Sequence, residues 1–156
     1  MPMRDSTIFS HLRQMDEADL PWVLQVEQRV QRSPWTFGGF ERALHQGLNF
    51  ILCDALNHNM GYVCLLPVVD ELHLLNLSVD QPYQGQGVAK AALLALMQRF
   101  ADSPYAMVLL EVRKSNKIAR RLYASLGFEQ DGVRKNYYAV EDGSREDALL
   151  LSKALR

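Results

Sequence analysis

Two stretches of this chain hold residues whose types and spacing could do chemistry. The first is Gln84-Gly85-Gln86-Gly87-Val88-Ala89-Lys90, between the apolar run Leu74 to Val79 and a run of small and apolar residues from Val88. A strand–turn–helix of this kind leaves backbone N–H groups pointing out of the helix start, beside the positive end of its dipole, where a diphosphate fits. Gly87 has no side chain and Ala89 only a methyl, so a phosphate oxygen can approach the backbone; Gly85 can take the positive φ of a tight turn. The second stretch is Val108-Leu109-Leu110-Glu111-Val112, in which Glu111 is the lone acid. A carboxylate in such a strand either reaches a cleft or costs several kcal/mol of desolvation unless paired. In a cleft it is a candidate base; its alternative is a structural ion pair with Arg113 or another cation.

The elements that must position these groups follow from periodicity. Thr7 to Leu12 reads as a first strand. Asp16 or Asp19 caps a helix, with Pro21 confined to its first turn. Leu20, Val23, Val26 and Val30 then share one helical face. Glu27 falls inside the same arc, so it either sits at a cleft rim reaching water, the reading adopted here, or has a partner. Ser33-Pro34-Trp35 breaks that helix, and Thr36 caps a second one through His45, weakened by Gly38 and Gly39. Asn49 to Asp54, Met60 to Val68 and Leu72 to Val79 form a strand meander with asparagine-bearing and Asp70-Glu71 turns. Val88 to Phe100 is a helix. Met107 to Val112, nearly unbroken in its apolarity, is expected to be a strand buried on both faces. Ser115 is the expected cap of a helix reaching Leu126, and Gly127 its stop. Phe128 to Tyr138 and Ala148 to Ser152 close the chain as paired strands. The expected fold is α/β: a mixed sheet with helices on both faces, in one domain spanning 1–156.

Composition sets bounds on function. The 156 residues, 48% hydrophobic and 22% charged, suit one globular domain with a real core. A formal net charge of −1 argues against direct nucleic-acid binding through phosphate neutralisation. No apolar run approaches the ~20 residues needed to span a bilayer, and the N-terminal stretch reads as no secretion signal. Cys53 and Cys64 lie in apolar runs and are expected as buried thiols of a cytoplasmic protein. With no Cys-x-x-Cys or His/Cys cluster, no metal site is expected.

The combination is specific. Gln84-x-x-Gly87-x-Ala89 after a strand, then LLEVRKSN (Leu109 to Asn116) and ARRLYASLGF (Ala119 to Phe128), resemble the GNAT superfamily of N-acetyltransferases over nearly the whole chain. The pattern LEVRxSNxxAxxLYxxLGF, the Tyr137-Tyr138 pair, Glu146-Asp147-Ala148, Asp70-Glu71 and Pro34-Trp35 is further similar to the bacterial ribosomal-protein-alanine N-acetyltransferases (RimI type). Ala89 replaces the commoner second glycine. Gly85 and Gln86 stand where many relatives carry arginines, and Ala139 where many have proline, which leaves backbone amides and Lys90 to balance a diphosphate.

The resemblance implies the GNAT fold, a mostly antiparallel twisted sheet of about seven strands with about four helices. It implies acetyl-CoA as acetyl donor and, as acceptor, the α-amine of a small-subunit ribosomal protein starting with alanine, with the enzyme a monomer in the cytoplasm. Gln84, Gly85, Gln86, Gly87, Val88, Ala89 and Lys90 would hold the diphosphate. Leu77, Ser78 and Val79 would form a strand end splayed from the Met107–Val112 strand, pairing with the pantetheine arm and polarising the thioester oxygen. Glu111 would be the base and Tyr123 the proton donor to the departing thiolate. Asn116 would hydrogen-bond the pantetheine, or serve only the helix start. Trp35, Glu71, Tyr137 and Tyr138 would wall the acceptor cleft, with His73 an alternative base. Two other readings stay open: an acceptor lysine, polyamine or aminoglycoside, and a non-enzymatic acyl-CoA or partner-binding module. A nucleotide-binding reading of the glycine turn is the weakest, because no Lys-Ser/Thr follows it, as a Walker loop needs, and it fits Gly-x-Gly-x-x-Gly poorly.

Overall fold

The computed structural model describes residues 8–156. Its strands and helices are β1 (Phe9–Gln14), α1 (Leu20–Val30), α2 (Phe37–Gln46), β2 (Leu48–Asp54), β3 (Asn59–Val68), β4 (Glu71–Val79), α3 (Val88–Arg99), β5 (Met107–Arg113), α4 (Lys117–Ser125), β6 (Glu129–Ala139) and β7 (Arg145–Ala154). Thr7, the expected start of β1, lies outside the described residues. The strands form one seven-stranded sheet in the order β1-β2-β3-β4-β5-β7-β6. Every neighbouring pair is antiparallel except β4–β5, which is parallel and joined through α3. The α/β architecture with four helices is the one expected.

The apolar strands sort their side chains onto two cores by simple alternation. Phe50 and Leu52 of β2, with Val63 and Leu65 of β3, pack beneath Val88, Ala92, Leu93 and Leu96 of α3, in one cluster with Tyr123 of α4 and Leu126 at its end. Ile51, Cys53, Tyr62 and Cys64 point the other way, onto Leu20, Val23 and Val26 of α1 and Phe40 of α2. Both cysteines are free thiols in that second core. Asp16 is the cap at the start of the α1 region: its carboxylate accepts the Ala18 N–H, while Asp19 accepts the Asp16 N–H at 2.9 Å and pairs with Arg13 at 2.8 Å.

β5 departs from expectation. Only Val108, Leu110 and Val112 are buried; Met107, Leu109, Glu111 and Arg113 are partly exposed. Helices α1 and α2 pack on β2, β3 and β4 and leave that face of β5 uncovered. The apolar run is thus the floor of a cleft, and not a strand sandwiched between layers.

The β3–β4 turn contains one strained residue. Val69 has φ 57° and is 93% exposed, so no packing recompenses a β-branched residue for a left-handed backbone. Val69→Gly removes ~1–2 kcal/mol of strain against a glycine entropy cost of ~0.5–1 kcal/mol. A net gain of about 0.5–1 kcal/mol, a Tm rise of a few °C for a chain of this size, is expected in thermal melts; an unchanged or lowered Tm would contradict the strain.

Candidate active site

The site begins with a fault in strand pairing. β4 and β5 pair from Glu71↔Met107 to Leu74↔Leu110 and no further. At the same point β4 slips against β3: Leu74 faces Leu65 and Asn76 faces Cys64, so Leu75 has no partner. A bulge of this kind bends its strand, and here it carries β4 away from β5. On its other side β4 stays paired with β3 through Ser78↔Tyr62 and Val79↔Gly61. The Asp80 N–H reaches back to the Met60 carbonyl, while the Val79 carbonyl accepts the Gln84 side chain at 2.8 Å. By the alternation of an antiparallel ladder, the main chains of Leu77 and Val79 therefore turn toward the gap. Ser78 turns the other way, its hydroxyl bonded to Asn76 and Gln31.

Below the gap lies the glycine turn. Asp80 accepts the Gln81 N–H and the Arg29 guanidinium at 3.0 Å, fixing where β4 ends. Gln84 and Gln86 spend their side-chain amides on the Val79 and Pro82 carbonyls, so these side chains brace the turn. Gly85 and Gly87 take φ 75° and 77°, and a Cβ on either would meet no atom within 4 Å. The first helical bond here is Ala91 N–H to Gly87 C=O. The N–H groups from Gly85 to Lys90 donate to no protein acceptor among the described residues. The buried Val88 anchors the helix start, and Ala89 and Lys90 complete its first turn. An array of free amides at a helix N-terminus is an anion cradle, so these residues fit a diphosphate.

The gap opens into a cleft of about 540 Å³ bordered by Leu74 to Leu77, Glu111 to Arg113, Asn116 and Tyr123. A second cavity of about 510 Å³ lies beside it, over the uncovered face of β5, with His73, Leu109, Asp131 and Arg134 in its wall. Trp35, Leu75, Glu111, Tyr137 and Tyr138 line both. Glu111 thus stands where the two spaces meet, its side chain 30% exposed and 3.4 Å from Arg134. Arg113 is not its partner. That guanidinium pairs with Glu146 at 3.0 Å, donates to the Ala139 carbonyl and lies 4.5 Å from the Tyr138 ring centre.

Tyr123 is nearly buried, edge-on to Phe128 at 5.4 Å, with its phenol in the cleft wall. Burial, assisted by Tyr138, pushes its pKa up to about 12, so it remains a neutral donor at physiological pH. Asn116, and not Ser115, caps α4: its Oδ1 accepts the Ala119 N–H at 3.1 Å, while the Ser115 hydroxyl donates to Glu146 at 3.0 Å. The helix starts one residue later than expected because Glu146 claims Ser115. Asn116 nevertheless borders the cleft. Glu71 borders neither cavity; its carboxylate bonds His73 Nε2 at 3.1 Å.

Sequence reading missed three features. Arg134, beside Glu111 and 5.0 Å from the Tyr137 ring centre, carries no local signal. An ionic bridge ties Arg32, after α1, to Glu141 at 2.7 Å and Glu146 at 3.7 Å, joining the two segments that flank the cleft. Glu27 lines the cleft but does not reach water: it is 1% exposed, and its partners are Trp35, Tyr62 and Asn76. Among the described residues no cluster of three or more His, Cys, Asp or Glu could hold a metal ion, and no helix is long and apolar enough to cross a membrane.

Known proteins share this arrangement. The pattern of the Acetyltransferase (GNAT) family matches residues 10–128. The [ribosomal protein bS18]-alanine N-acetyltransferase of Escherichia coli K12 is 40% identical over 142 residues, covering 88% of this chain and 93% of the relative. Its counterpart from Haemophilus ducreyi is 36% identical over 139 residues, covering 87% and 94%. The crystal structure of the ribosomal-protein-S18-alanine N-acetyltransferase from Escherichia coli superposes with a TM-score of 0.85 at 35% identity, covering 93% of each chain. A match of this extent, on a sheet split between β4 and β5 above a glycine turn, places the chain in the GNAT family of acetyltransferases.

Proposed function

We propose that this enzyme transfers the acetyl group of acetyl-CoA to the α-amine of the N-terminal alanine of ribosomal protein bS18. The observation that carries the reading is Glu111 at the meeting point of two cavities, one of them in the gap where β4 leaves β5. The names of the relatives supply the acceptor. In this reading the enzyme works as a monomer in the cytoplasm and needs no contact with membrane or nucleic acid.

Each residue then has a task. The amides from Gly85 to Lys90 grip the diphosphate, and the main chains of Leu77 and Val79 pair with the pantetheine arm as a neighbouring strand would. An N–H in this stretch polarises the thioester oxygen as it gains charge. Glu111 accepts a proton from the acceptor ammonium, directly or through a water; the neutral amine forms its C–N bond as the C–S bond breaks, and the second proton, left on the new amide nitrogen, passes to the departing thiolate or to solvent. Tyr123 hydrogen-bonds the departing thiolate. With its pKa near 12 against ~8.5 for an ordinary thiol, the phenol stabilises the sulfur's charge more than it surrenders its proton. Tyr123→Phe is therefore expected to lower kcat about tenfold with acetyl-CoA affinity retained; an unchanged kcat would remove Tyr123 from the reaction.

Magnitudes favour a terminal amine. With a pKa of ~8 it is about one-tenth neutral at pH 7, whereas a lysine near 10.4 is neutral in fewer than ~1 in 1000 molecules. A single partly exposed carboxylate is a sufficient base for the first and a poor one for the second. The deciding experiment is incubation with acetyl-CoA and a panel of peptides, read by mass spectrometry. Acetylation of the α-amine of Ala-starting bS18 peptides is expected; modification confined to lysine side chains, or none, would overturn the reading.

A further inference from the structure

Glu27 sits on the apolar face of α1 inside the core, a position at which a carboxyl must be well satisfied. Its Oε2 accepts the Trp35 N–H at 2.9 Å; its Oε1 accepts the Tyr62 hydroxyl at 2.7 Å and Asn76 Nδ2 at 3.0 Å. The orientation of the Asn76 amide is fixed, because its Oδ1 accepts from Ser78 Oγ and Gln31 Nε2. No Lys, Arg or His pairs with Glu27 among the described residues, so hydrogen bonds alone satisfy it. These bonds join the segment after α1 to the paired strands β3 and β4. Trp35 follows the break after α1 and walls both cavities. Asn76 is the first residue beyond the bulge, where β4 leaves β5.

We propose that Glu27 is a positioning residue for acceptor binding: it locks the Trp35 wall onto the strand along which the thioester lies. This rests on the acetyl-transfer reading above. The asymmetry of its bonds makes the role testable. A glutamine has one acceptor oxygen. Turned toward Tyr62 and Asn76, that oxygen leaves an NH₂ facing the Trp35 N–H, donor against donor, and the wall is released.

Glu27→Gln is expected to raise the KM for an Ala-starting peptide about tenfold, as loss of a charge-assisted bond implies, with kcat and acetyl-CoA Kd within about threefold of wild type. In a Trp22→Phe background, acrylamide quenching of Trp35 is expected to increase without any substrate. Tyr62→Phe is the structural control: it removes a donor from the same carboxyl, lowers Tm, and should leave peptide KM and Trp35 quenching unchanged. The proposal is overturned if Glu27→Gln leaves peptide KM or quenching at wild-type values, or if Tyr62→Phe raises peptide KM equally. A wild-type enzyme that acetylates no peptide would defeat the functional reading instead, while the quenching measurement would still decide whether Glu27 anchors Trp35.

Discussion

Glu111→Gln is expected to lower kcat about tenfold at pH 7, because about one-tenth of an α-amine with pKa ~8 is already neutral there, while acetyl-CoA binds as before. The substitution keeps the side chain's size and its place between the two cavities and removes only the ability to take a proton. Arg134, 3.4 Å away, has no proton-accepting capacity and cannot substitute. The pH dependence carries a definite sign. An ammonium with pKa ~8 loses its proton to solvent as pH rises, so wild-type kcat/KM climbs toward a plateau near that value. The deficit of the Gln variant shrinks above it, because the task of the base is then done by bulk water. A deficit constant from pH 6.5 to 9.5 would show that Glu111 acts otherwise. Full activity of both Glu111→Gln and Tyr123→Phe would mean that the reaction centre lies elsewhere.

The second large effect concerns the cradle. Gly87 has φ 77° and open space where a Cβ would stand. Gly87→Val should therefore cost the fold only the ~1–2 kcal/mol of a non-glycine residue in the left-handed region. The isopropyl group, however, would occupy the space that a phosphate needs, and relief of the φ strain would turn the amides away. Acetyl-CoA Kd is expected to rise at least about 100-fold, or ~2.7 kcal/mol, exceeding the stability loss measured by denaturant titration. Affinity within threefold of wild type in a folded Gly87→Val chain would contradict the placement of the diphosphate.

Strand and helix positions were legible in the sequence because burial on alternate residues and capping by small polar groups are local properties. Thr36 caps α2 as expected, its Oγ accepting the Gly39 N–H at 3.2 Å, and Gly127 ends the α4 region at φ 89°. The misreadings share a cause. Ser115 lost the cap to Asn116 because of Glu146, a residue 31 positions away. Glu27 found its partners on β3, β4 and the segment after α1. The Met107 to Val112 run is apolar on both sides, as a doubly covered strand would be, yet α1 and α2 stop short of it. Arg134 reaches Glu111 only because β6 and β5 flank β7. Adjacent leucines at 74 and 75 did carry a signal, since they interrupt the period-two pattern where the bulge occurs.

That bulge has a consequence for how easily the enzyme could be lost. A single surplus leucine keeps two parallel strands from closing on one another. Deleting Leu75 would heal the dislocation without reversing the faces of Asn76 to Val79, because their register with β3 already lies one residue beyond it. The resulting sheet would be continuous, melt no earlier than wild type, and retain Glu111 and Tyr123. Its seam would be shut to acetyl-CoA, and calorimetric titration should register no binding. An inert twin of this catalyst is one codon away.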